Sequence, residues 1–277
     1  MRLFDTHAHI QGPEFDADRE AVLQRARDAG MAGMLVLGVD VASSEAAIAL
    51  AEANPTVLAA AGCHPHDADK MDDASLERLE ALAASPTVVA VGEIGLDFYR
   101  SFSEHARQVE VFKRQLQVAA SAGKPAAVHC REAHEACLPI LEQWSHGLGG
   151  ALPDGRPLGV MHYFSGDVDL AQRYSALGLL ISIHTSVTYP KSEQLQAVAR
   201  ELPLDRIVVE TDSPYGAPQP LRGKRNEPAN VIEAVRKIAE LRGEAVERIA
   251  EATTENALRL LSLATPSMTR EPARRQA

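Results

Sequence analysis

The sequence predicts a single-domain (β/α)8 barrel. Eight short apolar, β-rich runs recur along the chain with helix-like stretches between them, and a strand–helix alternation of that count needs about 250 residues. The runs are almost continuously apolar, as expected of a parallel sheet covered on both faces. The competing architecture, a doubly wound open sheet, would place a glycine-rich phosphate loop after its first strand; here the first run ends in "THAHI".

In order, the runs are "RLFDTHAH" (2–9), "GMLVLGV" (33–39), "VLAAAGCHPH" (57–66), "VVAVGEIG" (88–95), "PAAVHC" (125–130), "LGVMHYF" (158–164), "GLLISIH" (178–184) and "DRIVVETD" (205–212). Helix-like stretches include 16–30, 75–85 and 103–123, then 230–243 and 255–264. Residues 103–123 repeat apolar side chains at three- and four-residue spacing and close on Gly123, a helix C-cap. No boundary divides the chain, so one domain is expected over 1–264. The Gly- and Pro-rich segment 145–159 reads as a single loop on the face opposite the strands' C-terminal ends, and the tail 265–277 as disordered.

Composition excludes several classes. Of 277 residues, 45% are hydrophobic, enough for one large core, and the net charge of −10 argues against coating nucleic acid by bulk electrostatics. A site that holds metal ions would carry its own positive charge. Three cysteines make no disulfide framework and suggest a reducing compartment. No apolar signal segment and no membrane-length run is visible, so the expectation is a soluble, cytoplasmic protein with no membrane association and no obligate protein partner.

The polar residues carry the functional signal. His7 and His9 end the first run, His64 and His66 follow the third, Glu93 ends the fourth, His129 the fifth, and Asp212 the eighth, with His162 near the end of the sixth. In a barrel these positions converge on one rim. His7 and His9 are two apart on a strand and share a face, so one metal ion can bridge them. Imidazole with carboxylate suits Zn, Mn, Fe or, with more oxygen, Mg. A buried Glu93 needs a positive partner, and no basic residue lies within six positions before it.

The motifs "FDTHAHI", "GCHPHDA", "VGEIGLDFY", "HCREA", "HYFSG", "VVETDSPY" and "RGKRNEPANV" resemble, in order and over residues 2–263, the TatD family of metal-dependent deoxyribonucleases. The resemblance implies a TIM barrel of the metallo-dependent hydrolase type. It implies two divalent ions (Mg²⁺, Mn²⁺ or Zn²⁺) and hydrolysis of DNA phosphodiester bonds, often 3′→5′, with single-stranded DNA the expected substrate. By the same resemblance His7, His9, Glu93 and Asp212 would hold one ion, and Glu93 would bridge to a second bound by His129 and His162. Asp212 would also activate water, and His64, with His66, would face the phosphate. Arg225 and Asn226 would lie near substrate phosphates. The basic cluster at Arg222, Lys224 and Arg225 follows the eighth run and can lie over the same rim. The alternative activity is hydrolysis of a small molecule's amide or ester bond by the same ions.

Other assignments stay open on the sequence. His129 and His162 taken singly suit core histidines, and Asp212 before Ser-Pro suits a turn. Asp97 is expected to hold the loop after the fourth run, and Cys63 and Cys130 to be buried thiols. His105, His134 and His146 are expected to be solvated or packing residues. Phe98, Tyr99 and Phe102 suit either base stacking or a hydrophobic lid. Tyr163 departs from the family pattern, where Cys is expected, and His184 matches none of the family's ligand positions, so its role is open.

Overall fold

In the computed structural model, which describes residues 1–263, eight strands form one parallel sheet in sequence order. They are β1 (Leu3–Ala8), β2 (Met31–Leu37), β3 (Val57–Ala61), β4 (Val88–Asp97), β5 (Ala126–Arg131), β6 (Gly159–His162), β7 (Leu179–His184) and β8 (Ile207–Glu210). The β1–β8 seam closes just beyond the strands, where Asp212 N–H donates to His7 O at 2.9 Å and His9 N–H to Ser213 O at 2.7 Å. The last turn of the barrel wall is therefore built from the residues of the polar rim.

Helices follow the strands: α1 (Arg19–Asp28), α2 (Val41–Ala53), α3 (Asp73–Ala84), α4 (His105–Ala122), α5 (His134–Leu148), α6 (Val168–Ala176), α7 (Glu193–Glu201), α8 (Val231–Arg242) and α9 (Val246–Leu260). Short polar residues start several of them. Asp40 caps α2 in a reciprocal box with Ser43, and Asp72 and Asp167 accept from the amides of Ser75 and Leu170. Gly123 ends α4 in the left-handed region, as its position predicts.

One inward residue from each strand (Phe4, Leu35, Ala60, Ala90, Ala127, Val160, Leu180, Val208) fills the lower barrel, and α9 plugs it from below with Ala257, Leu258 and Leu260. Two residues further along the same face of β5, β6, β7 and β8 come His129, His162, Ser182 and Glu210. The barrel thus has an apolar floor and a polar top. Close packing beside the top requires glycine: a Cβ on Gly92 would lie 2.6 Å from Ala127 Cβ, and one on Gly95, at φ +142°, would meet the His129 carbonyl.

Two boundaries differ from expectation. The segment 145–159 is not all loop, because α5 continues to Leu148 before Gly149 ends it. The final helix begins at Val246, well before residue 255. Its buried Thr253, Thr254 and Asn256 break the apolar pattern, yet each is bonded: Thr253 Oγ1 donates to Ile249 O, Thr254 Oγ1 to Arg2 O, and Asn256 to the carbonyls of Leu204 and Ile207. The tail 265–277 lies outside the described residues. Among the described residues no helix is long and apolar enough to cross a membrane.

Candidate metal and active site

Glu93 stands at the centre of the rim with its carboxylate almost fully buried. Its two oxygens face different sets of imidazoles. Oε2 lies 3.3 Å from His7 Nε2 and 3.4 Å from His9 Nε2. Oε1 lies 2.9 Å from His129 Nδ1 and 3.5 Å from Nε2 of both His64 and His162. Asp212 Oδ1 is 3.6 Å from His9 Nε2, 4.0 Å from His7 and 3.9 Å from His162. Among the described residues every ion-pair partner of Glu93 is a histidine.

Three overlapping triads bring donor atoms close enough to share an ion: His7–Glu93–His162, His7–His9–Asp212 and His64–Glu93–His129. The donor set fits divalent cations. Imidazole nitrogens crowd together, with His7 Nε2 3.1 Å from His9 Nε2 and the His7 and His162 rings stacked at 3.3 Å. Such crowding is favourable when a cation sits among the lone pairs.

A second layer fixes these rings. Asp97, buried at the end of β4, places Oδ2 3.2 Å from His129 Nε2 and 2.9 Å from His66 Nε2. Its Oδ1 accepts the amides of Tyr99 and Arg100, so the expected loop-holding role is joined by a histidine-orienting one. Glu210, fully buried, sits 3.0 Å from His162 Nδ1 and accepts the Tyr163 amide at 2.7 Å. His9 Nδ1 meets the Leu37 carbonyl at 3.0 Å. A buried partner on one ring nitrogen of a histidine fixes its tautomer and would raise the basicity of the other nitrogen toward a cation. Asp5, also fully buried, accepts from His7 N, Thr211 N and Thr211 Oγ1, tying the ends of β1 and β8 together. Asp212 and Tyr163 hold left-handed backbone angles, φ 59° and 45°, which aim both side chains at the rim.

Charge in the cluster is set by burial against neighbours. Burial alone would lower His9 and His129, but Glu93 with Asp212 lifts His9 to about 9, and Asp97 with Glu93 lifts His129 to about 10. Burial and facing imidazoles push His7 and His162 down to about 3. Burial also works against an ionised Glu93, yet His64, His7 and His162 hold it well below the usual carboxylate range. Asp212 moves the other way: burial, with Glu93 and Glu210 adding repulsion, raises it well above its usual value. A strongly acidic centre surrounded by imidazoles is an electrostatic frame for cations.

The cluster forms the base of a cavity of about 1120 Å³, to which His9, His64, His66, Glu93, His129, His162 and Asp212 all contribute. His64 comes nearer the centre than expected, because its Nδ1 accepts the His66 amide and turns Nε2 toward Glu93.

The basic cluster is not where the sequence suggested. Arg222, Lys224, Arg225 and Asn226 do not line the cavity. Arg225 forms a fork on Asp18 at 2.7 and 2.8 Å and lies 4.5 Å over the Phe15 ring. Asn226 is fully buried and spends its amide on the carbonyls of Thr211 and Tyr215 and on Thr185 Oγ1. Both brace the β8 loop. The arginines that do line the cavity are Arg100, just past β4, and Arg131, the last residue of β5.

His184 is buried beneath Tyr163, the rings stacked at 3.7 Å, and Tyr163 takes the place on the cavity wall. Cys63, Cys130 and Cys137 are free and buried, and the Cys130 sulfur sits 3.3 Å from His134 Nδ1, away from Glu93. Sequence reasoning passed over Glu210, although it stands two residues before Asp212 in "VVETD" and therefore shares the strand's polar end. Arg100 and Arg131 had a signal as well, each following an apolar run that carries a candidate ligand.

A family model described as TatD related DNase matches residues 4–262. The "3′-5′ ssDNA/RNA exonuclease TatD" of Pectobacterium carotovorum subsp. carotovorum (strain PC1) is 38% identical over 268 residues, 95% of this chain and 100% of that protein. The "uncharacterized metal-dependent hydrolase YabD" of Bacillus subtilis (strain 168) is 36% identical over 262 residues, 94% of this chain and 99% of that protein. The crystal structure of YjjV, a TatD homologue from Escherichia coli K12, superposes with a TM-score of 0.87 at 33% identity, over 95% of this chain and 98% of that one. The chain belongs to the TatD-related DNase family, and as a member it is a metal-dependent hydrolase acting on DNA.

Proposed function

We propose that this nuclease holds two divalent cations side by side at Glu93 and removes nucleotides from the 3′ end of single-stranded DNA. The observation that carries the reading is the division of Glu93: one oxygen faces His7 and His9, the other faces His64, His129 and His162. His7, His9 and Asp212 would hold one ion with Glu93, and His129 and His162, or His64, would complete the other. Mg²⁺, Mn²⁺ and Zn²⁺ are the ions this donor set suits.

Bound cations supply a nucleophilic water at neutral pH and neutralise developing charge on phosphate oxygens. The protein's own groups do the rest. Asp212 borders the cavity with Oδ1 among three imidazoles, positioned to orient the attacking water and accept its proton. His66, held by its Nε2 on Asp97, lines the cavity wall on the side where a substrate phosphate would lie. The 3′→5′ direction and the single-stranded substrate rest on the relative in Pectobacterium, whose name states both.

The test uses chelator-treated protein resupplied with Mg²⁺, Mn²⁺ or Zn²⁺, with single-stranded DNA labelled at either end and a matched RNA. Stepwise shortening from the 3′ end, dependent on metal and abolished in Asp212→Asn, is the expected result. Internal cuts would overturn the exonuclease mode. Full activity in Asp212→Asn would overturn the base assignment. Hydrolysis of amides or esters with DNA untouched would overturn the substrate class.

A further inference from the structure

Exposed aromatic rings and arginines stand around the rim above the histidine–carboxylate cluster. Aromatic residues are scarce here, 4% of the sequence. Among the described residues three are exposed: Tyr99 at 59%, Phe102 at 65% and Tyr215 at 60%. All three lie on loops at the C-terminal rim, Tyr99 and Phe102 after β4 and Tyr215 after β8, and none on the outer helices. Phe102 and Tyr215 line the cavity itself, and the Phe102 ring meets His66 edge-on at 4.8 Å. Phe98, by contrast, is stacked against His105 at 3.8 Å and only partly exposed.

The arginines share this rim. Arg131 lies 4.0 Å over the Tyr99 ring, and Arg100 5.9 Å from it. Both side chains are exposed, and neither pairs with a carboxylate among the described residues. Elsewhere, guanidiniums such as those of Arg25, Arg78 and Arg225 are committed to Asp or Glu. An exposed ring gives up hydrophobic stabilisation, and an unpaired arginine beside it adds a fork that suits phosphate. Water-facing rings and unpaired arginines around one cavity form a surface for unpaired nucleotides, because each base offers a face for stacking and each phosphate a charge.

Resting on the nuclease reading above, we propose that Phe102 and Tyr215 stack the bases of a single strand while Arg100 and Arg131 hold its phosphates. Phe102 takes the base next to the scissile phosphate because it abuts His66, and Tyr99 serves as the shelf that orders the two guanidiniums. Bases inside a duplex are covered by their neighbours and cannot reach these rings, so the surface selects unpaired ends.

The experiment measures KM for a short single-stranded oligonucleotide with its two 3′-terminal bases present, and for the same strand with those positions abasic. Wild-type protein is expected to show a KM at least about 5-fold higher on the abasic strand, the lower bound for losing a single stacked base when two are removed. Phe102→Ala and Tyr215→Ala should each shrink that ratio, and Phe102→Trp should restore it. In Arg100→Ala/Arg131→Ala, the logarithm of kcat/KM should fall less steeply with the logarithm of salt, by about 1.4 for two phosphates on a single strand. A wild-type ratio near one, or a ratio that survives in both aromatic variants, overturns the stacking assignment while leaving the nuclease intact. An unchanged salt slope overturns the arginine assignment. Failure of the wild-type protein to cleave any strand overturns the underlying reading as well.

Discussion

Asp97→Asn isolates the layer behind the candidate ligands. The Asp97 carboxylate has two faces in use: Oδ1 accepts the amides of Tyr99 and Arg100, at 3.1 and 2.8 Å, and Oδ2 faces Nε2 of His66 and His129. Asparagine keeps the shape but has one oxygen. If that oxygen stays on the amides, its NH2 confronts His129 and the imidazole loses its carboxylate partner. If the amide flips, two backbone donors face an NH2 instead. The first arrangement is favoured, since two buried donors without an acceptor cost about 1–3 kcal/mol each. His129 is then left without the group that orients it toward Glu93. Loss of such an outer partner weakens metal binding about 10- to 100-fold, or about 1.4–2.7 kcal/mol. The assay is competition of chelator-treated protein against a chromophoric chelator for Mn²⁺ and Zn²⁺. Binding that involves His129 should weaken by that factor, and on the two-ion proposal any second binding event should stay near wild type. Wild-type affinity at both positions would refute the argument that Asp97 acts through His129.

Arg225→Ala should lower the melting temperature and leave KM for DNA within twofold, because its fork grips Asp18 rather than substrate; the reverse pattern would restore the phosphate role. The Asp18 carboxyl is held down to about 2 by Arg225, with Arg25 adding. Its folded value is below the unfolded 3.8, so the ion pair's contribution is full above about pH 4 and disappears as pH falls through 2. The stability gap between wild type and Asp18→Asn should close over that window in pH-dependent thermal melts. Asp5→Ala strands three donors, His7 N, Thr211 N and Thr211 Oγ1, and should cost about 3 kcal/mol or more in urea unfolding. Asp5→Asn keeps an acceptor for the amides and can donate to the hydroxyl, so it should cost under about 1 kcal/mol. Metal loading should release at least two protons at neutral pH, since His9 and His129 sit at about 9 and about 10 and ligation needs their lone pairs, with Asp212 adding to the number as far as its raised value keeps it protonated. Calorimetry in buffers of different ionisation enthalpy reads that number, and a value near zero would contradict the charge assignment.

The barrel was legible because its signals are redundant. Each of β1 to β8 is an apolar run, and a polar residue marks the upper end of most. Strand position alone brought His7, His9, His64, His66, Glu93, His129, His162 and Asp212 to one rim, since a parallel barrel gathers all strand ends there, and the family resemblance narrowed them to a ligand set. What could not be read is where loops go. The run 222–225 follows β8 just as Arg100 follows β4, yet Arg225 turns outward to Asp18 while Arg100 stays on the cavity. Proximity in sequence to a strand end fixes a residue's neighbourhood and not its direction, and the partner that decides for Arg225 lies 207 residues away. α9 was half hidden for a related reason: its polar positions look solvent-facing until the carbonyls of Leu204 and Ile207 receive Asn256.

Glu93 joins these threads. A fully buried carboxylate adds little to stability, because desolvation offsets most of what its neighbours return. Here its partners are imidazoles that must take up protons to balance it, and His9 and His129 do so at the expense of their own burial. Glu93→Gln removes the charge at constant volume and relieves both histidines of that demand. The metal-free variant should therefore melt no lower than metal-free wild type. The cation frame, however, loses the group shared by its two halves, so the rise in melting temperature on adding Mn²⁺ or Zn²⁺ should vanish. The comparison separates structure from function at one residue. A variant that unfolds without metal would make Glu93 a structural ion pair after all, and one that still gains stability from metal would show that the remaining imidazoles and Asp212 hold the ions without it.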